Sequence, residues 1–141
     1  MPGYHVTRQI NAPAERVWDL LTDATGYAKW NRAVISIDGP IAMGETIALV
    51  SIANPKRVFK LKITDAARPS RLVWSDGMPL GLFKGERTYL LTEENGGTAF
   101  SMSEAFTGPL AGMMVRAIPD LTDSFALFAD SLKNAAEVEA T

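Results

Sequence analysis

The chain has 141 residues, which is the size of one ordinary folding domain, and its 47% apolar and 21% charged residues exclude a disordered chain. Its net charge of −2 provides no basic excess for binding phosphates, so we expect no nucleic-acid partner. The absence of cysteine excludes disulfides and thiolate catalysis, and the single histidine, His5, excludes a multi-histidine metal site. We therefore expect no metal and no cofactor.

The N-terminus has neither the basic region nor the apolar run of a signal peptide, and no segment is apolar for long enough to span a membrane. We interpret residues 1–141 as a single domain of a cytoplasmic protein. The sequence does not define the oligomeric state, and a homodimer is compatible with it.

The N-terminal third predicts one strand and two short helices. Alternation over residues 4–10 is typical of a strand whose edge carries a solvated His5. Pro13 and Glu15 are suited to the first turn of a helix, and apolar residues spaced as in a helix follow them over residues 13–22. A second helix is predicted over residues 24–30.

After Trp30 the apolar pattern changes to the period of strands, which are separated by short turns rich in glycine, proline and asparagine. Short connections between consecutive strands predict an antiparallel meander. Lys56, Arg57, Lys60 and Lys62 alternate with apolar residues and are expected on the solvent face. Together with the first strand, the predicted strands cover residues 4–10, 34–38, 45–52, 57–65, 71–76, 85–92 and 98–106.

From Pro109 onwards apolar residues recur every three or four positions, which predicts a long helix over residues 109–137. Pro119 lies inside this pattern. Because a proline removes a backbone hydrogen bond and clashes with the preceding turn, we expect the helix either to kink or to restart there.

Three stretches of this chain resemble a known superfamily. They are residues 10–23 followed by Tyr27 and Trp30, residues 85–108, and residues 132–137 of the closing helix. They resemble the START/Bet v 1-like superfamily, in particular its SRPBCC-type branch of polyketide cyclase/dehydrase and lipid transport proteins. The resemblance covers nearly the whole chain.

The resemblance implies an α+β helix-grip fold. In such a fold a curved seven-stranded antiparallel sheet wraps around a long C-terminal helix, two short helices lie between strands 1 and 2, and an apolar cavity separates sheet and helix. Members include carriers, receptors, cyclases, stress proteins and chaperone activators, so the fold alone does not select a function.

If this chain has such a cavity, large apolar residues of the strands and the C-terminal helix should line it. Methionine suits an adaptable ligand surface because its side chain is unbranched and polarisable. The apolar loop over residues 77–83 is either a gate at the cavity mouth or a segment folded onto the core. The expected lining comprises Phe59, Leu61, Trp74, Phe83, Tyr89, Phe100 and Met102 from strands, Met113, Met114, Ala117, Leu121 and Phe125 from the helix, and Trp30 and Met78 near an opening.

The dipeptide Asn95-Gly96 is typical of a two-residue hairpin turn, and such a turn would set the register of the last two strands. Arg87 and Glu104 would then face each other on an apolar side of the sheet, where opposite charges need each other. Two interpretations remain open: a structural ion pair near the rim, or a polar anchor for a ligand's carbonyl or hydroxyl. The opposed pairs would be Leu91 with Phe100, Tyr89 with Met102, and Arg87 with Glu104.

Three functions are compatible with these features. We favour a protein that binds a hydrophobic or amphipathic small molecule, such as a lipid, a polyketide-like aromatic or an isoprenoid. The alternative is a polyketide cyclase/dehydratase-type or hydrolytic enzyme with Glu104 as acid/base, aided by Arg87 and Tyr89. A chaperone-activator-like interaction module is the third. Because no histidine, cysteine or Ser/His pair is expected inside the cavity, the enzyme is the weaker hypothesis.

Overall fold

The computed structural model describes residues 3–77, 79–117 and 120–139. Over these ranges the strands form a seven-stranded antiparallel sheet in the order β1-β7-β6-β5-β4-β3-β2. The predicted helix-grip α+β fold is confirmed, with each strand within three residues of its expected bounds. The strands are β1 (Gly3–Ile10), β2 (Val34–Asp38), β3 (Thr46–Ser51), β4 (Asn54–Ala67), β5 (Arg71–Gly77), β6 (Lys84–Glu94) and β7 (Gly97–Thr107).

Two short helices connect β1 to β2, as expected. The first, α1 (Ala14–Thr22), follows Pro13 and has Glu15 in its first turn, where the helix dipole favours a carboxylate. Its buried face includes Val17, Trp18 and Leu21. The second, α2 (Tyr27–Trp30), follows a 3₁₀ turn at Ala24–Gly26.

The single helix expected over residues 109–137 is instead described as two helices, α3 (Ala111–Ala117) and α4 (Thr122–Glu139). Asp120 gives the physical reason for a new start, because its carboxylate accepts hydrogen bonds from the Thr122 N–H at 2.9 Å and the Thr122 hydroxyl at 2.7 Å. Pro119, where a kink or restart was expected, lies outside the described residues.

The register of β6 and β7 confirms the prediction from the turn. Asn95 and Gly96 both have a positive φ, 53° and 79°, as a two-residue hairpin turn requires. Leu91 opposes Phe100, Tyr89 opposes Met102, and Arg87 opposes Glu104.

The row that contains Arg87 and Glu104 continues across the sheet. Trp74 opposes Arg87 on one side, and Tyr4 opposes Glu104 on the other. Since directly opposed residues share a face, this row places one cation and one anion among aromatic side chains on the concave side.

Aromatic packing fills one end of the space between sheet and helices. The rings of Tyr89 and Phe128 stack at 5.6 Å between centroids, and Tyr27 meets both Phe128 and Trp74. All four side chains are buried, and α4 continues the core with Leu132. Among the described helices, none has the length and apolarity needed to cross a lipid bilayer.

Candidate functional site

The other end of this space is hollow. A cavity of about 130 Å³ lies between strands β2 to β7 and the residues at α3 and the start of α4. Nine of the side chains expected at a ligand site line it. They are Phe59, Leu61, Trp74, Phe83, Arg87 and Glu104 from the sheet side, and Met114, Leu121 and Phe125 from the helical side.

Four predicted lining residues lie elsewhere. Tyr89, Phe100 and Met102 are fully buried in the packed core, and the half-buried Trp30 packs against Tyr27 and Phe128. None of these four contributes to the cavity wall. For Tyr89 the cause is Phe128, whose ring stacks on the Tyr89 ring and separates it from the cavity.

The helical side also differs from the expectation. Met113 is 60% exposed, so its predicted inward orientation is wrong. Successive helical residues point about 100° apart, and in α3 it is Met114 that lines the cavity while Met113 points towards solvent. The predictions for Met78 and for the side chain of Ala117 lie outside the described residues.

The loop between β5 and β6 divides its apolar residues between core and solvent. Phe83 is buried on the cavity wall, whereas Leu80 is 96% exposed and adopts a left-handed φ of 62°. Leu82 is exposed as well. The part of this loop next to β6 therefore folds onto the core, and a gating role for the remainder stays a prediction.

Sequence reasoning missed four wall residues that extend the predicted strand faces by one step. Arg57 precedes Phe59 by two positions, Asp76 follows Trp74 by two, and Gly85 precedes Arg87 by two. Phe106 likewise follows Glu104 by two. The period of two along a strand is the signal that could have found them.

Arg57 has a role that the sequence did not indicate. It is exposed, as expected, but it also lines the cavity, and its guanidinium lies 4.7 Å from the centre of the Phe59 ring. Arg57 and Phe59 share a face because they are two residues apart on β4.

The expected ion pair forms on the cavity wall. Arg87 Nε donates a hydrogen bond to Glu104 Oε1 at 2.8 Å, and the two side chains are only 18% and 15% exposed. The Arg87 guanidinium also lies 4.6 Å from the centre of the Phe125 ring, within cation–π range. Burial is the largest single effect and acts to lower the pKa of Arg87, but the interactions with Glu104 and Tyr89 together outweigh it and leave that pKa above its ordinary value.

Two polar groups next to this pair are buried without a hydrogen-bond partner among the described residues. They are the Tyr89 hydroxyl and the Trp74 Nε1. Burial raises the pKa of Tyr89, while the nearby Arg87 charge works against that rise, so the phenol is protonated at neutral pH. No hydrogen bond of good geometry joins Tyr89 to Arg87.

The two buried tyrosines should respond in opposite ways to loss of the hydroxyl. Tyr27 donates to the Leu21 carbonyl, so Tyr27→Phe should lower the free energy of unfolding by about 1–2 kcal/mol. Tyr89→Phe removes a hydroxyl with no partner and should leave stability unchanged or raise it by up to about 1 kcal/mol. Urea denaturation of both variants measures the difference, and equal losses would contradict it.

The curved antiparallel sheet holds a C-terminal helix and encloses a hollow with a polar pair on its wall. These features define a helix-grip protein with an internal cavity. The chain belongs to the polyketide cyclase/dehydrase and lipid transport family, whose sequence model matches residues 1–137. This match confirms the resemblance found in the sequence. A comparison with curated protein sequences gives no significant match.

Solved structures of other proteins share this fold. The Aha1 dimer from Colwellia psychrerythraea is 21% identical over 100% of both chains, with a TM-score of 0.74. The Zhui aromatase/cyclase from Streptomyces sp. R1128 is 15% identical over 99% of this chain and 96% of its own, with a TM-score of 0.72. Truncated norcoclaurine synthase from Thalictrum flavum is 13% identical over 95% and 92%, with a TM-score of 0.70. At these identities the likeness shows the fold alone.

Proposed function

We propose that this protein binds a small, largely apolar molecule in the cavity between the sheet and α4. The observation that carries the proposal is the hollow of about 130 Å³, whose wall combines aromatic side chains with the Arg87–Glu104 pair. Small-molecule sites generally have this composition: a mostly apolar wall with a few polar groups that set orientation.

The apolar wall supplies the affinity. Phe59, Phe83 and Phe125 lie on different sides of the hollow, so a ligand would be covered by rings from strand, loop end and helix. Each square ångström of apolar ligand surface removed from water stabilises the complex by roughly 25 cal/mol. An apolar ligand therefore gains more binding free energy in this cavity than a polar ligand, which would lose its hydration.

The ion pair supplies the orientation. Arg87 and Glu104 bond through one nitrogen and one oxygen, and both side chains reach the cavity wall. A ligand with a polar group at one end would place that group against the pair and its apolar body against the rings. The pair thus serves as the anchor for a ligand's polar group.

Phe125→Trp tests the proposal by filling the hollow. The indole is larger than the phenyl ring and keeps an aromatic face under the Arg87 guanidinium, so the variant should fold while losing at least tenfold in ligand affinity. The measurement is native mass spectrometry of freshly purified protein, followed by NMR titration with small aromatic compounds.

Leu90→Phe is the matched control, because Leu90 is exposed and also gains an aromatic ring. It should bind as the unmodified protein does. Unchanged binding by a well-folded Phe125→Trp variant would place the bound molecule outside this cavity and refute the proposal.

A further inference from the structure

We infer that the ligand is a neutral molecule with a single aromatic ring that carries a hydroxyl group, that is, a phenol. This inference deepens the proposed function and rests on it. Four properties of the cavity support it: its volume, its aromatic wall, the balance of charges on that wall, and the hydrogen-bonding groups of the Arg87–Glu104 pair.

The volume limits the ligand to about one ring. An apolar protein cavity of about 150 Å³ accommodates a benzene molecule. At about 130 Å³, this cavity encloses a six-membered ring with small substituents, whereas much of a fused ring system or an extended acyl chain would lie outside it. The ligand classes expected from the sequence, which included lipids and isoprenoids, are therefore narrowed to compounds with a single ring.

The wall favours an aromatic ring over an aliphatic one. Six of the lining residues are aromatic, and they come from both the sheet and the helices. Aromatic pairs in edge-to-face or offset arrangements contribute about 0.5–1.5 kcal/mol beyond their buried area. The lining aromatic residues are Phe59, Trp74, Phe83, Phe106, Phe125 and Phe128.

The charges on the wall balance, which favours a neutral ligand. Arg57 and Arg87 are offset by Asp76 and Glu104. A carboxylate ligand would approach Arg87 only next to the Glu104 carboxylate, and an ammonium would meet the guanidinium in the same way. Either ion would lose its hydration on binding, and the site has no opposite net charge to compensate for that loss.

The anchor itself selects a hydroxyl. The bond between Arg87 Nε and Glu104 Oε1 leaves the guanidinium Nη groups as donors and Glu104 Oε2 as an acceptor, with no other hydrogen bond seen for them within the described ranges. A hydroxyl is the smallest group that accepts from one and donates to the other. A phenol suits this role because, like the tyrosine side chain with its pKa of about 10, it is protonated at neutral pH.

Gly85 provides the room for this hydroxyl. A Cβ placed on Gly85 would lie 3.7 Å from Glu104 Oε2 and 3.5 Å from the Phe106 ring, and Gly85 is itself part of the cavity wall. The space next to Oε2 therefore exists because residue 85 has no side chain. Any larger residue at position 85 would occupy it.

The test compares four compounds: p-cresol, toluene, which lacks the hydroxyl, benzoate, which is an aromatic anion, and dodecanoate, which is an anion with a long acyl chain. Titration calorimetry and amide chemical shifts at pH 7 measure their affinity and their location on the unmodified protein. We expect p-cresol to bind at least tenfold more tightly than toluene, because a hydrogen bond to a charged group adds to the same ring burial. Benzoate and dodecanoate should bind more weakly than p-cresol.

Gly85→Ala tests the position of the hydroxyl, with Gly112→Ala as its control. The alanine methyl at position 85 fits at ordinary contact distances and should remove the preference for p-cresol over toluene. An alanine methyl at position 112 has no atom within 4 Å and should leave that preference unchanged. A Gly85→Ala variant that keeps the tenfold preference would overturn the assigned anchor.

The outcomes separate the two proposals. If none of the compounds binds, and no other small molecule is retained on purification, the proposed binding function fails and the phenol inference fails with it. If compounds do bind, but toluene equals p-cresol, or benzoate or dodecanoate binds more tightly, the binding function stands and only the phenol inference is overturned.

Discussion

Replacing Arg87 by leucine should lower the free energy of unfolding by about 2–3 kcal/mol. The substitution leaves the Glu104 carboxylate without its partner on an apolar wall, and breaking a fully buried ion pair costs about 3–5 kcal/mol. The loss here should be smaller because both side chains keep some access to solvent, 18% for Arg87 and 15% for Glu104. It should be measurable by urea denaturation at neutral pH.

Two further variants make this result specific to the pair. Arg87→Leu combined with Glu104→Leu removes both charges and should recover most of the lost stability. Arg68 is the exposed counterpart, since it pairs with Glu15 and Asp19 on the surface, and Arg68→Leu should cost less than about 1 kcal/mol. Equal losses for the two arginines would show that burial of the Arg87 pair carries no energetic weight.

Phe128→Ala should be the most destabilising single substitution considered, at about 3–5 kcal/mol. Its ring is 2% exposed and packs against Tyr27, Trp30 and Tyr89, so truncation removes these contacts and extends the existing cavity towards Tyr89. Thermal and urea denaturation give the loss directly.

Asn134→Ala is the control on the same helix, because Asn134 is exposed, and it should change stability by no more than about 0.5 kcal/mol. A loss below about 1 kcal/mol for Phe128→Ala would mean that the aromatic cluster does not hold α4 against the sheet.

The alternation of apolar residues and the turn chemistry were sufficient to predict the strands, their antiparallel pairing and the Arg87–Glu104 register. These are local properties: a two-residue turn at Asn95-Gly96 fixes every pair of the hairpin that it closes. The two helices between β1 and β2 followed from equally local signals around Pro13.

The boundary between core and cavity could not be predicted in this way. Whether Tyr89 lines a cavity or lies beneath another ring depends on where Phe128 sits, and these two residues are 39 positions apart in the chain. Periodicity assigns a residue to a face, but the position of a helix along a sheet decides which part of that face is covered. The same limit explains why Met113 was expected inside.

The concave face has a filled end and a hollow end. Selection for a stable fold acts mainly on the first, and selection for the bound molecule acts mainly on the second. Substitutions at the filled end, around Tyr27 and Leu132, act on folding, while substitutions at the hollow end, such as at Gly85 or Phe59, act on what the cavity can hold. Substitutions such as those at Gly85 or Phe59 can therefore change which ligand binds without a prior stabilising substitution elsewhere. The filled end keeps the fold stable while residues at the hollow end change.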